Sequence, residues 1–521
     1  MNIPHGFVGE EGTMIATTVD VREFGSEKAD GWAGDPRRFL WLGVGALALL
    51  FSGGGWDIAL APWIASVFLL RFSRTSTVAA GTTIVWLVSV GAVLGWSVQF
   101  YAPMTTITVL GSVVFGTVFT LPYLLDRLFL ARLSAVGQLL LFPAVYAALE
   151  FLICTYSPSG TSFSLRAVTQ YANLPLLQVI SITGPYAIGF LIGWFATVAN
   201  HVWQSGSWRG ERVAAVTFGV VLSAILIGGS VRLTFFPPVA SYVRTAAITP
   251  SVSALDAARK AFGGPLPGNR QELANADPMK LEAAYNLVTQ DLLANTRQAA
   301  NAGAKIVVWS ETAANVVGPD KAALLEQASA LAKQENIYLD IGVGIPATLN
   351  ETHLFGPDGR EIWQYNKTHP VPGMEFVPPG HSPVPSTLTP FGRLANVICF
   401  DGDFPSLMRQ KADIMLIPAF DWGKEGQIHT LRMTSLRAIE NGYSMLRSNR
   451  DGLSAAFDYQ GRVLARQDTT TADQHIMLAD VPTHGVTTVY NLIGDTFAWL
   501  CLAGTLALIA VGLSHRRAPS R

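Results

Sequence analysis

The chain contains 521 residues, of which 50% are hydrophobic and only 14% are charged, and its mean hydropathy is +0.33. Soluble proteins carry about 25% charged residues, so this composition indicates an integral membrane protein. The formal net charge of −1 excludes the basic excess that nucleic-acid binding needs. Three cysteines are too few for a scaffold held together by several disulfides.

Charged residues are distributed unevenly along the chain. No Asp, Glu, Lys or Arg lies between Arg74 and Asp126. A second such stretch separates Arg166 from Arg209, whereas the charge density after residue 241 resembles that of a soluble domain. Because a helix needs about 20 apolar residues to cross a bilayer, we predict eight spans. They centre on residues 39–51, 56–70, 78–96, 104–124, 133–153, 176–198, 213–227 and 497–513.

This pattern predicts four segments. Residues 1–36 are polar and lack the apolar core of a signal peptide, which is typical of a flexible cytoplasmic tail. A seven-helix transmembrane domain (37–235) precedes a globular domain (241–490). A C-terminal transmembrane helix (495–514) follows it.

The arginines predict the orientation, because cytoplasmic loops carry an excess of Lys and Arg. They lie at every second boundary between spans, whereas Arg166 is the only basic residue at the alternate boundaries. Both termini are therefore expected in the cytoplasm, and the globular domain is expected on the extracytoplasmic side. The boundary arginines are Arg37, Arg38, Arg71, Arg74, Arg127, Arg132, Arg209, Arg212, Arg516, Arg517 and Arg521.

Glu150 lies near the outer end of the fifth predicted span. Ionisable residues inside spans are often functional. A carboxylate at this depth can also reach the interface in a purely structural role, so the sequence leaves both interpretations open.

Within residues 241–490, helical and strand patterns alternate. Short runs rich in Val and Ile are typical of buried strands, and the sequences PDG at 357–359 and YQG at 459–461 are turn signals. Helices that alternate with apolar strands favour a layered α/β domain. The predicted strands are 245–249, 305–310, 337–345, a strand that the turn at 357–359 opens toward Lys367, 394–400, 414–418 and 444–447. The predicted helices are 279–302, 321–335 and 426–441.

Cys399 is the one cysteine of the globular segment, since Cys154 and Cys501 lie in predicted spans. It ends an apolar run and precedes the turn sequence FDGDFP. A strand that ends in such a turn can present a nucleophile, with backbone N–H groups close to an oxyanion. From this position alone, an inert buried thiol is the alternative.

Two further predicted strands end in charged residues that a nucleophilic thiol would need. Glu311 follows VVWS, and Lys367 follows QYN. Because a free thiol has a pKa of about 8.5, it needs a base or a nearby cation to become a thiolate. Glu311 could accept the thiol proton, and Lys367 could stabilise both the thiolate and the tetrahedral oxyanion.

The order Glu, Lys, Cys at three strand ends resembles the nitrilase (carbon–nitrogen hydrolase) superfamily, which implies an α-β-β-α sandwich. The combination of such a domain with spans on either side is similar to the apolipoprotein N-acyltransferase family over nearly the whole chain. The stretches that carry the resemblance are WSETA at 309–313, YNKTHPVPGMEFVP at 365–378, HTLRM at 429–433, LRAIE at 436–440 and LRSN at 446–449.

The resemblance implies roles for individual residues. Cys399 would be the nucleophile, Glu311 the general base and then the acid, and Lys367 the cation that stabilises the oxyanion. Glu375 would be an auxiliary carboxylate that orients the lysine and the substrate.

Phe400 and Asp401 stand where the family usually has Tyr and Glu after the cysteine. The resemblance therefore implies auxiliary, substrate-binding positions for both residues. Phe400 lacks the hydroxyl and Asp401 is shorter, so the two are equally well interpreted as structural variants.

The activity implied by the resemblance is a ping-pong acyl transfer. The donor would be a phospholipid, the intermediate a cysteine thioester, and the acceptor the N-terminal amine of a diacylated apolipoprotein. The implied location is the inner (plasma) membrane, with the catalytic domain on the periplasmic side and in contact with membrane lipid. Neither a cofactor nor a metal is expected, and the histidines of the globular domain form no His-x-x-x-His pair.

Two other functions fit parts of the sequence. A membrane-anchored nitrilase-like amidase would use water where an acyltransferase uses an amine, and the three residues do not distinguish these reactions. A transporter or receptor would need broken spans with polar groups at mid-membrane, whereas most candidate chemistry lies outside the spans. The apolar loop at 370–379, beside Lys367, is expected either to contact lipid or to pack as an ordinary loop.

Overall fold

The structure is a computed structural model that describes residues 36–99, 104–162, 165–206, 208–238, 241–318, 320–421, 423, 429–471 and 475–515. Of the predicted tail at 1–36, only Pro36 lies within these ranges. The chain forms a helical region, then an α/β region, then a last helix.

Apolar helices make up the first region. Two short 3₁₀ turns, Leu130–Arg132 and Arg166–Gln170, lie between them. The helices are α1 (Arg37–Leu50), α2 (Ala61–Arg74), α3 (Val78–Gln99), α4 (Thr106–Phe129), α5 (Ala135–Tyr156), α6 (Leu174–Leu177), α7 (Ile180–Thr183), α8 (Tyr186–Ser205) and α9 (Trp208–Phe235).

Strands and helices alternate in the second region, and an apolar helix follows it. The strands are β1 (Tyr242–Ile248), β2 (Ile306–Trp309), β3 (Ala314–Asn315), β4 (Tyr338–Ile345), β5 (Leu349–Phe355), β6 (Glu361–Asn366), β7 (Ser386–Thr389), β8 (Gly392–Asn396), β9 (Ile414–Phe420), β10 (Ser444–Arg450), β11 (Leu453–Phe457), β12 (Val463–Asp468) and β13 (Ile476–Pro482). The helices are α10 (Val252–Phe262), α11 (Arg270–Asn275), α12 (Pro278–Asn301), α13 (Asp320–Glu335), α14 (Pro405–Met408), α15 (Ser435–Asn441), α16 (Val489–Ile493) and α17 (Thr496–Ser514).

Five helical stretches in the described ranges are long and apolar enough to cross a membrane: α3, α4 with its 3₁₀ turn, α5, most of α9, and α17. A bent pair of helices is a sixth candidate. Helices α1 and α2 have 14 residues each. At 1.5 Å per residue this is about 21 Å, short of the ~30 Å hydrocarbon core. The predicted count of eight spans is therefore not confirmed.

The span predicted at 176–198 is broken. Residues 174–183 and α8 meet at an angle of 115°. Gly184 has a φ of +72°, and Pro185 has no N–H to donate, so the helix does not continue through these residues. A Cβ atom at Gly184 would lie 2.6 Å from the ring of Tyr490, which makes the bend specific to glycine.

Alternate ends of the helices contact the α/β region. After α1, Asp57 pairs with Arg432 at 2.6 Å. After α5, the Thr161 N–H donates to the carbonyl of Asp403 at 3.1 Å. In the last turn of α9, the Arg232 carbonyl accepts a hydrogen bond from the Gln460 side-chain amide of the α/β region.

The opposite helix ends carry several of the boundary arginines. Arg74 in α2 and Asp126 in α4 form a buried ion pair at 2.7 Å. Arg127 donates to the carbonyl of Ser76 at 3.0 Å. These contacts join α2, α3 and α4 at the ends away from the α/β region.

Two sheets form the α/β region. One has the strand order β13-β1-β2-β4-β5-β6, with β3 paired to β4, and the other has the order β12-β11-β10-β9-β8-β7. Strands β1, β2 and β4 are parallel, as are β8, β9 and β10. The carboxyl ends of these central strands therefore lie at one edge of each sheet, where α/β proteins place their sites.

Alternation of apolar residues explains the layers. In β2, Val307 and Trp309 pack on α12 and α13, whereas Ile306 and Val308 pack against the second sheet. The other face of the second sheet packs on α14 and α15. The order of layers is α-β-β-α. Helix α15 also contacts α6 and α7 of the helical region through Leu436.

The predicted elements are largely present. Several observed elements have no counterpart among them, including β5, β7, β13 and α10. The strand predicted at 394–400 ends at Asn396, and a 3₁₀ turn, Cys399–Asp403, follows. The described part of the helix predicted at 426–441 is a π-helical turn, His429–Thr434, that continues into α15.

Candidate active site

The segments after β2 and β8 meet at the end of β9. The Glu311 N–H donates to the carbonyl of Ala419 at 3.3 Å. The Cys399 Sγ atom lies 3.8 Å from the carbonyl oxygen of Phe420. The predicted base and the predicted nucleophile therefore flank the same two residues of β9.

Lys367 follows β6 and is fully buried. Its Nζ atom lies 2.7 Å from Glu311 Oε1 and 2.7 Å from Glu375 Oε1. Tyr365, two residues earlier, packs in one apolar cluster with Cys399 and Ala419. The structure thus brings Glu311, Lys367, Cys399 and Glu375 to one pocket.

Backbone strain lies on both sides of this pocket. Cys399 has a φ of +47°, and Thr312, next to Glu311, has a φ of +45°. Non-glycine residues rarely adopt this left-handed conformation, which costs about 1–3 kcal/mol and clusters at active sites. Cys399, which has this left-handed conformation, is also the first residue of the 3₁₀ turn.

Asn350 in β5 orients the predicted base. Its Nδ2 donates to Glu311 Oε1 at 2.7 Å, the same oxygen that Lys367 contacts. Among the described residues, Glu311 Oε2 has no hydrogen-bond partner. One oxygen is therefore fixed by two donors, and the other is available for a proton.

Two family models match the chain in succession. The apolipoprotein N-acyltransferase N-terminal domain matches residues 43–198, and the carbon–nitrogen hydrolase domain matches residues 274–490. Together they cover well over half of the chain. The chain belongs to the apolipoprotein N-acyltransferase family. All of the pocket residues described above lie within the carbon–nitrogen hydrolase match.

Relatives of this family align over much of the chain. The apolipoprotein N-acyltransferase of Geobacter metallireducens is 25% identical over 471 residues, which are 83% of this chain and 81% of that protein. The Rickettsia typhi protein of the same name is 21% identical over 63% of this chain and 67% of its own length. Among solved structures, an amidase from Nesterenkonia sp. matches 47% of this chain and 92% of its own, with 18% identity and a TM-score of 0.36.

Burial and charge set the protonation of the pocket. Burial raises the pKa of the Cys399 thiol well above its ordinary value, and the Glu311 charge raises it further, whereas Lys367 and Arg447 oppose the rise. Burial alone would lower the pKa of Lys367, but Glu311, the cysteine and Glu375 outweigh it and hold that pKa above its usual range. Lys367 is therefore charged, and the resting thiol is protonated.

Glu375 lies in the loop after Lys367. Its Oε2 accepts the Val371 N–H at 2.9 Å, while Oε1 contacts the lysine. Burial and the neighbouring Glu311 raise its pKa, although Lys367 lowers it. This carboxylate fixes the loop and the lysine to each other.

Asp401 holds the cysteine turn against the lysine loop. It accepts hydrogen bonds from the Tyr365 hydroxyl at 3.0 Å, the His369 N–H at 2.7 Å and the Ile398 N–H at 3.2 Å. Both of its oxygens are therefore used by the protein. These contacts are those of a positioning residue.

Phe400 is 8% exposed and packs edge-on against Phe404, with 5.4 Å between ring centroids. His369 stacks on the other side of this cluster, 3.6 Å from Phe404. Phe400 thus belongs to an aromatic cluster between the cysteine turn and the lysine loop.

Sequence reasoning assigned no role to three polar residues that the structure places at the site. Asn350 lies in β5, Asp421 directly follows β9, and Arg447 lies in β10. Arg447 belongs to the LRSN stretch at 446–449. The one feature of the sequence that marks it is its charge, at the end of the short predicted strand 444–447.

Glu150 lies outside this pocket. It is buried in α5 and accepts the backbone N–H of Arg166 at 2.9 Å. The Arg166 guanidinium lies over the rings of Trp96, Phe119 and Tyr146 at 5.4–5.8 Å. These contacts give Glu150 a structural role in closing the loop after α5.

No group of three or more His, Cys, Asp or Glu side chains that could hold a metal ion occurs in the part of the chain that the structure describes.

Proposed function

We propose that this chain is an apolipoprotein N-acyltransferase. It moves an acyl chain from a phospholipid to the N-terminal amine of a diacylglyceryl-cysteine lipoprotein through a thioester on Cys399. The observation that carries the proposal is the contact of Lys367 with Glu311 beside a strained, buried cysteine, in a chain of this family. The cysteine turn of this pocket contacts a loop between apolar helices.

The first half-reaction acylates the cysteine. Glu311 takes the thiol proton, the sulfur attacks the ester carbonyl carbon, and a C–S bond forms. The tetrahedral oxyanion lies near the Lys367 ammonium, which stabilises it. When the ester C–O bond breaks, Glu311 returns the proton to the departing alkoxide, and lysophospholipid leaves.

The second half-reaction transfers the acyl chain. The neutral amine of the lipoprotein attacks the thioester carbon while Glu311 takes a proton from the nitrogen. A C–N bond forms, the C–S bond breaks, and the sulfur recovers its proton from Glu311. The product is an amide, and the enzyme returns to its resting protonation.

The membrane arrangement supports lipid substrates. We infer that α1 and α2 form a hairpin that enters the bilayer without either helix crossing alone. A hairpin returns the chain to the same side, just as two spans would, so the arginine pattern still favours an extracytoplasmic α/β domain. Substrates anchored in the outer leaflet then gain effective concentration at the pocket.

The loop at 370–379 supports the same proposal. Met374 is 56% exposed and Phe376 is 68% exposed, on either side of Glu375. Glu375 contacts Lys367 directly, so the apolar residues lie next to the catalytic lysine. We assign them to contact with the acyl chains of the donor.

The test is intact-mass measurement of the detergent-solubilised protein after incubation with phospholipid. We expect a mass increase of one acyl group that Cys399→Ala abolishes. A diacylated lipopeptide should then discharge the thioester, and a labelled acyl chain should appear on its amine.

A membrane-anchored amidase is the second candidate, favoured by the departure of Phe400 and Asp401 from the family pattern. Under that function the label appears as free fatty acid, and the lipopeptide stays unmodified. Absence of any adduct on Cys399 would contradict both functions.

A further inference from the structure

A second charged pair contacts the cysteine sulfur. Arg447 lies in β10 and is fully buried. Its Nη2 atom lies 3.8 Å from Cys399 Sγ and 2.9 Å from Asp421 Oδ1. Among the cationic side chains that the structure describes, Arg447 is the one that donates a hydrogen bond to the sulfur.

Asp421 is itself held in place by neighbouring strands. Its N–H donates to Asn449 Oδ1 at 3.1 Å, and the Asn449 amide donates back to Asp421 Oδ2. The Thr430 hydroxyl reaches the same oxygen at 3.5 Å. With Oδ2 occupied in this way, Oδ1 is directed to Arg447 at 2.9 Å, and it also lies 3.9 Å from the Cys399 sulfur. The guanidinium is thereby fixed beside the sulfur.

The charge balance of the pocket gives Arg447 a task. Lys367 is shared by two carboxylates, Glu311 and Glu375, so its charge is already compensated. In the part of the chain that the structure describes, Arg447 forms an ion pair with one carboxylate, that of Asp421. Once the thiol proton has passed to Glu311, each cation keeps one charged carboxylate, Glu375 for Lys367 and Asp421 for Arg447. The guanidinium is the cation that contacts the sulfur, at 3.8 Å.

We propose that Arg447 is a further catalytic residue, which stabilises the Cys399 thiolate by direct contact, and that Asp421 is the positioning residue that aims it. The inference deepens the proposed function and rests on it for the acyl-transfer steps. Formation of the thiolate itself needs no lipid: the proton passes from sulfur to Glu311, and the negative charge left on sulfur is shared with the guanidinium.

Several charged groups surround the sulfur and act on its titration. Glu311 after β2, Lys367 after β6, Asp421 after β9 and Arg447 in β10 act on the sulfur directly. Glu375 in the lysine loop acts on Lys367, and Asp403 in the cysteine turn acts on Arg447. Burial raises the thiol pKa, and the two cations oppose that rise. Removal of either cation alone is expected to raise it further.

The test is the pH dependence of Cys399 alkylation by iodoacetamide in the full-length protein, without phospholipid. A Cys154→Ala/Cys501→Ala background makes Cys399 the only thiol. Arg447→Met should raise the alkylation midpoint by about one pH unit and slow alkylation near pH 7.5 about tenfold, since one pKa unit is a tenfold change in thiolate. Arg447→Lys should recover part of the loss.

Arg450→Met is the matched control. Arg450 lies on the same strand and over the Phe420 ring at 4.8 Å, so its replacement removes a nearby cation without touching the sulfur. Its alkylation profile should equal that of the parent protein. If Arg447→Met does not fold, Arg447→Gln, which keeps an amide donor for Asp421, should give the same shift.

An unchanged midpoint in either folded neutral variant, or an equal shift in Arg450→Met, would overturn the proposal. The proposed function fails separately. In that case the midpoint shifts as expected, but phospholipid leaves no acyl adduct on Cys399 and no label reaches the lipopeptide.

Discussion

Lys367 retains its charge in a fully buried position because two carboxylates contact it. An isolated buried ammonium would cost several kcal/mol, and its pairing depends on good geometry and further hydrogen bonds. Asn350 supplies one of these by donating to Glu311. Glu311 raises the pKa of both the lysine and the cysteine thiol. It therefore favours the charged form of Lys367 and the neutral form of Cys399.

Glu311→Gln should therefore separate thiol reactivity from acyl transfer. Loss of the negative charge lowers the thiol pKa, so a larger fraction of Cys399 is thiolate at pH 7 and iodoacetamide alkylation becomes faster. Acyl transfer falls by about 10²–10⁴-fold, the usual contribution of a general base. Alkylation and transfer are measured on the same preparation across pH 6–9.

Glu326→Gln, on the exposed face of α13, is the control and should change neither quantity. Slower alkylation of Cys399 in Glu311→Gln would contradict the assignment of Glu311 as the group that raises the thiol pKa.

At the scale of elements, the cysteine turn rests on the loop after α5. Thr161 donates its N–H to the carbonyl of Asp403, and the Ser162 hydroxyl donates to the Asp403 side chain. Gly160 has a φ of +51°, and a Cβ there would lie 2.8 Å from the Asp403 carbonyl oxygen. Close approach of this loop to the turn thus depends on glycine.

Gly160→Ala should displace the cysteine turn and reduce acyl transfer about tenfold or more, because small displacements of reacting groups have large effects on rate. The matched control is Gly206→Ala, which also has a left-handed φ, +61°, but nothing within 4 Å of its Cβ position. Both variants pay the same conformational cost of about 1 kcal/mol. Equal rates of transfer in the two variants would exclude a role for the docked loop.

The loop at 370–379 gives a second test at this scale. Replacement of Met374 and Phe376 by Ser removes apolar contact with the donor, so KM for phospholipid should rise several-fold while iodoacetamide reactivity of Cys399 stays the same. Met279→Ser, an 80% exposed methionine on α12, is the control. Equal loss of lipid use and alkylation would indicate misfolding instead of lost lipid contact.

Strand β5 illustrates why some elements escape prediction. Its residues Asn350, Glu351, Thr352 and His353 are all buried. All four are polar, so the sequence shows neither the apolar run nor the alternation of apolar and polar residues that predicts a strand. Two of them have partners far away in the sequence, Glu311 for Asn350 and Asn396 for Thr352. Apolar strands such as β2 need no such partners, and their periodicity alone predicts them.

The site divides in the same way. Glu311 and Cys399 follow apolar runs, and Lys367 follows a strand that the turn at 357–359 opens. Their order along the chain resembles a known family, so the sequence suffices to predict them. Arg447 and Asp421 lie far apart in sequence and acquire meaning only when β9 and β10 pair in register. Glycine and proline are both common in membrane helices, so the sequence does not predict the break at Gly184.

At the scale of the whole molecule, one arginine joins the two regions near the pocket. Arg432, in the π-helical turn, pairs with Asp57, donates to the carbonyl of Gly54 and lies over the ring of Tyr171 at 5.0 Å. Thr430, in the same turn, contacts Asp421. The loop between α1 and α2 is thereby linked through one turn to the surroundings of the cysteine.

The Asp57–Arg432 pair should be tested by exchanging the charges. Both side chains are largely buried, at 2% and 11% exposure, and removal of one partner from a buried pair costs about 3–5 kcal/mol. Asp57→Arg or Arg432→Asp alone should lower the Tm in detergent by about 5 °C or more. The double variant should recover much of this loss, and additive destabilisation would refute direct pairing.

Strands β1 and β13 lie side by side and antiparallel, with Tyr242 opposite Pro482. The chain therefore enters and leaves the α/β region at one edge of one sheet. A unit whose ends are adjacent can be inserted into another fold without separating the segments that flank it. A helical bundle could thus have acquired its catalytic unit as a single insertion before the last helix, and whole-unit exchange between relatives would leave the bundle's connectivity intact.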